Sequence, residues 1–154
     1  MKEVLRWPVV QKLRLFSSHQ LQTPFPAHNR LQHSIRIAFL AYKLSKFFFQ
    51  DPSNCTRAGL LHDIGYATVS PEFTQTHFFN HARAGFYLLT KFNEPKWVRE
   101  AARTHMFPMG AFPKTILSFV IWLADKLDWI FYLTRLDSFL DRYINNILKI
   151  NKSD

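Results

Sequence analysis

Ala58-Gly59-Leu60-Leu61-His62-Asp63-Ile64-Gly65 is the stretch of this chain that says most about its fold. Its leucines and isoleucine form an apolar body, and its alanine and first glycine allow a neighbouring element to come close. Gly65 stands where a helix often ends in a residue of positive φ. The stretch therefore predicts a helix end that holds His62 and Asp63 deep in the fold, where an unpaired carboxylate is costly.

A histidine beside an aspartate is also a ligand combination for a divalent metal ion. Taken alone, the pair His62 and Asp63 is equally consistent with a helix-end ion pair or with chance. Whether it marks a site depends on what the rest of the chain places near it.

The helix predicted over residues 31–49 has a histidine on its inward face. His33 lies on the same stripe as Ile37, four residues later, whereas Arg36 is placed elsewhere on the helix surface. A single inward histidine is more often an ordinary core residue than a ligand. After a break at Asp51-Pro52, Ser53 is the expected cap of the helix that ends in the His-Asp pair.

A further histidine is predicted on a helix between residues 76 and 91. Gly85 follows His81 by four residues, so the glycine lies against the histidine and leaves room beside it for a metal or a ligand. His77 and His81 are also four residues apart, which is a chelating spacing on a helix. This second pair ranks lower because His77 is expected at a helix start, where solvent and caps are common.

Two later helices each place a possible ligand inward. The helix predicted to begin at Asn93-Glu94-Pro95 turns His105 towards the core. The helix over residues 115–133 is apolar almost all round, and Asp125 lies in its middle. Acids avoid such positions unless they are paired or bind metal. Lys126 is not the expected partner, because adjacent helical residues diverge by about 100°.

Taken in order, these positions resemble the HD-domain superfamily of metal-dependent phosphohydrolases, whose pattern is a histidine, then His-Asp, often two more histidines, then an aspartate. The resemblance covers about residues 28–130, and Leu123-Ala124-Asp125-Lys126 is similar to the family's closing motif. It implies an all-α fold: one compact bundle of about six to seven helices over residues 28–154. Residues 1–27 are predicted to be a lead-in helix, packed on the core, and a linker. The six positions are His33, His62, Asp63, His81, His105 and Asp125.

The resemblance also implies a binuclear metal site. The first ion would be bound by His33, His62, Asp63 and Asp125, and the second by Asp63, His81 and His105. Asp63 would then bridge the two ions, and Asp63 and His62 would form the catalytic centre. Tyr66 stands where many members carry a lysine, which removes the phosphate contact expected from that lysine.

The donor set favours transition metals. Histidine nitrogens combined with carboxylate oxygens suit iron or manganese best here, and cobalt, nickel or zinc next, whereas magnesium prefers oxygen ligands alone. Two such ions about 3.5–4 Å apart lower the pKa of a shared water. Arg57 and Lys126 are the predicted substrate-binding cations, and Arg36 and Arg83 are more simply explained as surface charges.

The favoured function is hydrolysis of a phosphate ester or anhydride, with a nucleotide or dinucleotide as the preferred substrate. Two alternatives remain, an HD-type di-iron oxygenase and a non-catalytic nucleotide-binding module. A variant of the favoured function is a nucleic-acid phosphodiesterase. The last is less favoured because the basic residues are spread along the chain and form no cluster.

Composition supports a single intracellular domain. The chain has 154 residues, 47% hydrophobic and 20% charged, with a net charge of +9 that favours anionic partners. The longest apolar run, residues 116–124, is too short to span a membrane, and the N-terminus lacks a signal-peptide core. With one cysteine and no internal disulfide, a cytoplasmic location is predicted. The apolar stripe of the last helix predicts either core closure or a homodimer contact.

Overall fold

The structure is a computed structural model that describes residues 2–16, 29–69 and 80–150. No strand forms within these ranges, which confirms the all-α prediction. Six of the eight described α-helices lie within residues 28–154, in agreement with the predicted six to seven, and the lead-in segment adds two single turns. The helices are α1 Lys2–Leu5, α2 Pro8–Gln11, α3 Arg30–Phe47, α4 Pro52–Leu61, α5 His81–Lys91, α6 Lys96–Thr104, α7 Ile116–Leu133 and α8 Asp137–Ile150; two 3-10 helices cover Lys12–Leu15 and Ile64–Thr68.

Side-chain caps define where three of the long helices begin. Asn29 starts α3 with a capping box, in which its side chain accepts from the Gln32 amide at 2.9 Å and its own amide donates to the Gln32 side chain. Asp51 caps α4, and Thr115 caps α7. The prediction of Ser53 as the α4 cap is wrong, because Asp51 accepts the orphan amide one turn into the helix.

The start of α6 also differs from the sequence-based expectation. Asn93 does not cap the helix; it adopts a left-handed turn with φ of 53°, and Pro95 precedes the first helical residue, Lys96. Asparagine tolerates this conformation better than most residues because its short side chain bonds locally. After this turn the Glu94 side chain faces Arg57 of α4 and forms an ion pair with it at 2.5 Å.

Glycines set the close approach of the helices around the His-Asp pair. A Cβ on Gly59 would lie 2.9 Å from the Cα of Ala38, so α4 does approach α3 closely, as predicted. Gly65 does not have the predicted positive φ; it lies in the second 3-10 helix, where a Cβ would be 1.9 Å from the carbonyl oxygen of His81. Gly85 packs against Gly65, so the room predicted beside His81 is filled by backbone.

The N-terminal segment is part of the core. Val10, Leu13 and Phe16 are at most 1% exposed and pack in one cluster with Leu60 and Leu61 of α4. The expected packing of the lead-in segment on the core therefore holds for residues 2–16. The domain boundary predicted at residue 28 stays a prediction, because residues 17–28 lie outside the described ranges.

A second apolar cluster joins α3, α4, α6 and α7 behind the site. It packs the inward face of α3 against that of α7. Of the apolar stripe predicted for the last helix, Leu140 packs against this cluster whereas Leu136 and Tyr143 are exposed, so the stripe is only partly covered and the homodimer contact stays a prediction. Within the described ranges, no helix has both the length and the apolar character that a membrane crossing requires.

Candidate metal centre

The six predicted ligands converge on one buried point although they come from five parts of the chain. His33 lies in the first turns of α3, His62 and Asp63 follow α4, and His81 is the first residue of α5. His105 follows α6, and Asp125 lies in the middle of α7. The four histidines and Asp63 are at most 4% exposed, and the Asp125 side chain is 15% exposed.

Asp63 is the centre of this cluster because its two carboxylate oxygens face different histidines. Oδ1 lies 3.1 Å from His81 Nε2 and 3.3 Å from His105 Nε2. Oδ2 lies 3.6 Å from the Nε2 atoms of both His33 and His62. One carboxylate thus joins two histidine pairs.

Asp125 completes the group around Oδ2. Its Oδ1 atom lies 3.2 Å from His33 Nε2 and 3.8 Å from His62 Nε2, and these two nitrogens are 3.2 Å apart. On the other side, the Nε2 atoms of His81 and His105 are 2.9 Å apart. Two compact groups of donor atoms therefore share Asp63.

An acceptor at Nδ1 holds each of His33, His62 and His105, which turns Nε2 towards the cluster. The Nδ1–H of His62 donates to the Gly59 carbonyl and that of His105 to the Ala102 carbonyl, each at 2.7 Å. His33 Nδ1 donates to Asp128 Oδ2 at 2.8 Å. A neutral imidazole that donates at Nδ1 carries its lone pair at Nε2, which is the arrangement of a metal ligand.

The spacing of these atoms fits metal ions. With metal–ligand bonds of about 2.0–2.1 Å, neighbouring ligand atoms around a tetrahedral or octahedral ion lie about 2.8–3.4 Å apart. The separations of 2.9–3.3 Å within the His81, His105 and Asp63 group fall in this range. In the other group three separations are greater, 3.6 Å from Asp63 Oδ2 to each of His33 and His62 and 3.8 Å from His62 to Asp125. Imidazole nitrogens and carboxylate oxygens are ligands of divalent transition metals, so the donor set fits a divalent ion on either side of Asp63.

The protonation of the cluster also suits metal binding. Burial lowers the pKa of His62 to about 3 and that of His81 to about 4, so both are neutral near pH 7. Burial alone would raise the pKa of Asp63, but the Arg30 guanidinium and the surrounding histidines hold it well below its usual range. Asp63 is therefore ionised and the two imidazoles keep their lone pairs.

His33 is the exception in the absence of a metal ion. Burial opposes its charged form, but hydrogen bonds with Asp125 and Asp128 outweigh burial and raise the pKa of His33 to about 9. The imidazole therefore holds a proton at neutral pH, and an ion that binds Nε2 must displace it.

Two residues of the site were not anticipated from the sequence. Arg30 donates to Asp63 Oδ2 at 2.7 Å and to the Tyr66 hydroxyl at 3.1 Å, and its guanidinium lies 4.2 Å from the Tyr66 ring centroid. Asp128 is fully buried against His33. Helical spacing could have indicated both residues. Arg30 lies three residues before His33 on α3, and Asp128 lies three residues after Asp125 on α7, so each shares a helix face with a predicted ligand.

Arg36 is not the surface charge that was predicted. Its side chain is fully buried and donates from Nε to Asp128 Oδ1 at 2.6 Å. Helical periodicity placed it off the apolar stripe, but α7 packs on that side and supplies the carboxylate. Arg83 is exposed and lies over the Tyr87 ring, as a surface charge would.

The two predicted substrate cations differ in position. Lys126 donates from Nζ to Asp125 Oδ2 at 2.8 Å, so it lies beside the cluster, and the expectation that these neighbours would not pair is wrong because the long lysine side chain folds back. Arg57 pairs with Glu94 and lies over Trp7, and none of these contacts belongs to the cluster. His77, the alternative chelator, lies outside the described residues.

Comparison with known proteins shows which family has a sequence pattern like that of this chain. A family model described as the HD domain matches residues 30–130. Ribonuclease Y from Alkaliphilus metalliredigens is 36% identical over 116 residues, which cover 75% of this chain and 22% of that protein. Ribonuclease Y from Thermus thermophilus is 36% identical over 99 residues, which cover 64% of this chain and 16% of that protein. The chain thus spans about a fifth of the length of these curated relatives.

Solved structures share the fold. The HD domain of the L. monocytogenes phosphodiesterase PgpH superposes with a TM-score of 0.60 at 14% identity, covering 96% of this chain and 85% of that one. The same domain in complex with cyclic-di-AMP gives a TM-score of 0.61 at 13% identity, covering 95% and 84% of the two chains. The region that the family model matches, residues 30–130, contains all six clustered residues.

Proposed function

Because this chain belongs to the HD domain family, we propose that it is a metal-dependent phosphohydrolase with two divalent ions, one on each side of Asp63. The first ion is held by His33, His62, Asp63 and Asp125, and the second by Asp63, His81 and His105. Iron or manganese is the preferred metal, because the donors are mostly imidazoles combined with carboxylates.

One observation carries this proposal: the two oxygens of a single buried carboxylate face two separate pairs of histidine Nε2 atoms. In each group the imidazole nitrogens and carboxylate oxygens lie close enough to share one divalent ion, and atoms of these types are the ligands that such ions take in proteins. A pair of bound ions supplies an activated water and offsets the charge that develops on a phosphoryl group.

The chain itself supplies cations on both sides of the first group. Arg30 contacts the Asp63 oxygen that faces His33 and His62, and Lys126 contacts the outer oxygen of Asp125. We assign Arg30, in place of Arg57, and Lys126 to contacts with the non-bridging phosphoryl oxygens. A guanidinium stacked on Tyr66 also offers positive charge on the side where many members of the family carry a lysine.

The substrate class is a phosphodiester of a nucleotide or dinucleotide. Two kinds of relative support it by name, since one is a ribonuclease and the other a phosphodiesterase whose HD domain was solved with cyclic-di-AMP. The net charge of +9 favours such anionic ligands. The spread of basic residues still favours a small substrate over a long nucleic acid.

The test is a substrate screen on anaerobically prepared protein loaded with manganese or iron, using cyclic and linear dinucleotides, nucleotides and a short RNA. Metal-dependent release of a phosphate ester product supports the proposal, and D63N should abolish that release. Oxygen uptake by the iron-loaded protein without phosphate release would support the di-iron oxygenase instead. Tight nucleotide binding without turnover would support the non-catalytic module.

A further inference from the structure

Asp128 is a buried carboxylate that lies behind the candidate metal centre. Its Oδ2 atom accepts from His33 Nδ1 at 2.8 Å, on the opposite side of the imidazole ring from the cluster. The residue is fully buried and lies one helical turn after Asp125 on α7. The two aspartates therefore approach the two nitrogens of His33 from opposite sides.

Arg36 holds Asp128 in place from the other side. It donates from Nε to Oδ1 at 2.6 Å and from Nη2 to Oδ2 at 3.2 Å, a forked contact that fixes the plane of the carboxylate. Both side chains are shielded from solvent. A buried, forked guanidinium–carboxylate pair is rigid, so the acceptor presented to His33 has a fixed position and direction.

The arrangement extends to the last helix. Arg36 Nη1 lies 3.3 Å from both carboxylate oxygens of Asp141 on α8, whose side chain is 25% exposed. Three helices thus meet in one series of contacts that runs from Asp141 through Arg36 and Asp128 to His33.

His33 differs in this respect from the other histidines whose Nδ1 partner is known. His62 and His105 donate to carbonyl oxygens three residues earlier in their own helices, so local backbone fixes their orientation. His33 donates to a side chain 95 residues away. Its orientation and tautomer therefore depend on tertiary packing and on one replaceable group.

We propose that Asp128, fixed by Arg36, is a positioning residue for the first metal ion: it holds the proton of His33 at Nδ1 and so directs the Nε2 lone pair at the ion. Outer partners of this kind typically change metal affinity about 10–100-fold when they are removed. The inference rests on the proposed metal site. It concerns the first ion only, because His33 belongs to the first group of donor atoms and not to the second.

The matched variants are D128N and D141N. Both replace one carboxylate in the same series of contacts, but Asp141 touches Arg36 alone in this series and Asp128 touches His33. Bound metal per chain and the two affinities are measured by titration of Mn²⁺ or Co²⁺ against a competing chelator. We expect D128N to weaken one of two sites about 10–100-fold and to leave the other unchanged, and D141N to leave both within about twofold.

A spectroscopic readout separates positioning from a general structural role. In the Co²⁺-loaded protein, the Nδ1 proton of a bound histidine gives a paramagnetically shifted signal that is lost when the proton exchanges rapidly with water. The His33 signal should persist in the wild type and in D141N and disappear in D128N. If D128N does not fold, the wild-type spectrum still decides: absence of a slowly exchanging His33 Nδ1 proton would overturn the inference.

The outcomes distinguish a failure of the proposed metal site from a failure of the positioning role of Asp128. A wild-type protein that binds no metal would remove the proposed function and this inference with it. Two sites in the wild type, with unchanged affinities and an unchanged His33 proton in D128N, would overturn the inference and leave the function standing. Equal weakening of both sites in D128N would also overturn it, because Asp128 would then support the fold and not one ligand.

Discussion

At the scale of single residues, Asp63 is the position on which the whole site depends. Among the residues that the structure describes, it is the one carboxylate within 3.6 Å of all four clustered histidines, and it also accepts from Arg30. Its neighbours Arg30 and Tyr66 form a stacked pair beside it. Changes at these positions therefore alter the charge balance of the site and not only its shape.

The first prediction concerns the D63N substitution. We expect phosphohydrolase activity to fall at least about 10²–10³-fold, because the shared ligand loses its charge and the activated water its support. Bound metal should fall below one ion per chain, measured by elemental analysis. The matched control is D141N, a partly exposed carboxylate, which should keep activity near that of the wild type. Full activity in D63N would contradict the proposed site.

A second prediction concerns Arg30. In R30K the cation is kept, but the paired donation to Asp63 and the Tyr66 hydroxyl and the stack on the Tyr66 ring are lost, so we expect KM for a phosphodiester substrate to rise about 10-fold. In R30Q the charge is lost as well, and the loss in kcat/KM should be greater. Arg57 supplies the control, because it is paired with Glu94 away from the cluster, and R57K should leave KM within about twofold. Equal effects at the two positions would remove Arg30 from the substrate contacts.

The third prediction is a pH dependence of metal binding. His33 has a pKa of about 9 without metal, so an ion that binds its Nε2 releases one proton at neutral pH. Affinity at the first site should therefore rise about tenfold per pH unit between about pH 6.5 and 8.5 and level off above about 9. His62 and His81 are already neutral in this range and add no slope. An affinity that does not change with pH in a competition titration would contradict this prediction, because metal binding would then displace no proton from His33.

The same groups set the stability of the metal-free protein. His62 and His81 have folded pKa values below the unfolded value of about 6.5, so the unfolded state binds more protons and stability falls as the pH drops below about 6.5. His33 has a raised pKa, so its contribution is present below about pH 6.5 and is lost as the pH rises towards 9. Urea unfolding of chelator-treated protein should show a maximum near pH 6.5. A steady rise in stability from pH 6 to 9 would contradict the raised pKa of His33.

At the scale of elements, the contact between the second 3-10 helix and α5 determines where His81 lies. Gly65 faces the backbone of His81 and Gly85 so closely that a methyl group would overlap the His81 carbonyl oxygen. Neither partner is a side chain that can move aside. The glycine is required by this approach and not by an unusual backbone angle.

A fourth prediction follows for G65A. We expect a loss of about 3 kcal/mol or more in unfolding free energy, since α5 must move to admit the methyl group. Binding at the second site should weaken with it, because His81 is the first residue of α5. The matched control is G110A, where the nearest atom is a side-chain carbon of Met106 at 3.2 Å in an exposed turn, and the change should stay below about 1 kcal/mol. Similar melting temperatures for the two variants would contradict the close packing.

Sequence periodicity located the inward faces well but could not identify charge partners from different helices. The clustered histidines and aspartates were found because each lies on an apolar stripe or beside one. Arg36 was misplaced because its partner, Asp128, is 92 residues away and only the packing of α3 on α7 brings them together. The glycine contacts and the start of α6 were missed for a related reason, since backbone approach and turn conformation depend on neighbours that periodicity does not specify.

At the scale of the whole molecule, the N-terminal segment and the site share one core. Val10, Leu13 and Phe16 are buried against α4, whose end carries His62 and Asp63. Residues 2–16 therefore contribute to the support of the site although the family model begins at residue 30. Resemblance to a family could not show this, because the segment lies outside the matched region.

The last prediction tests that support by removing residues 1–27. The loss of three fully buried apolar side chains removes about 1.5–3 kcal/mol each, so we expect the melting temperature of the remaining chain to fall by more than about 10 °C. A milder variant, L13A, should cost about 2–5 kcal/mol, and L15A, at an exposed position, supplies the control. A truncated chain with unchanged melting temperature and metal content would show that residues 28–154 are an independent domain.

The separation of the clustered residues along the chain has a consequence for the lifetime of the protein. His33 and Asp125 are separated by almost the whole matched region, and the other donors come from elements between them. An unfolded chain therefore has no preformed chelate, and an ion at one hundred times its dissociation constant adds about 2.7 kcal/mol to the folded state. When the metal is scarce, the metal-free protein would unfold more often and would be degraded sooner by proteases. The cellular amount of the protein would then follow the supply of the ion.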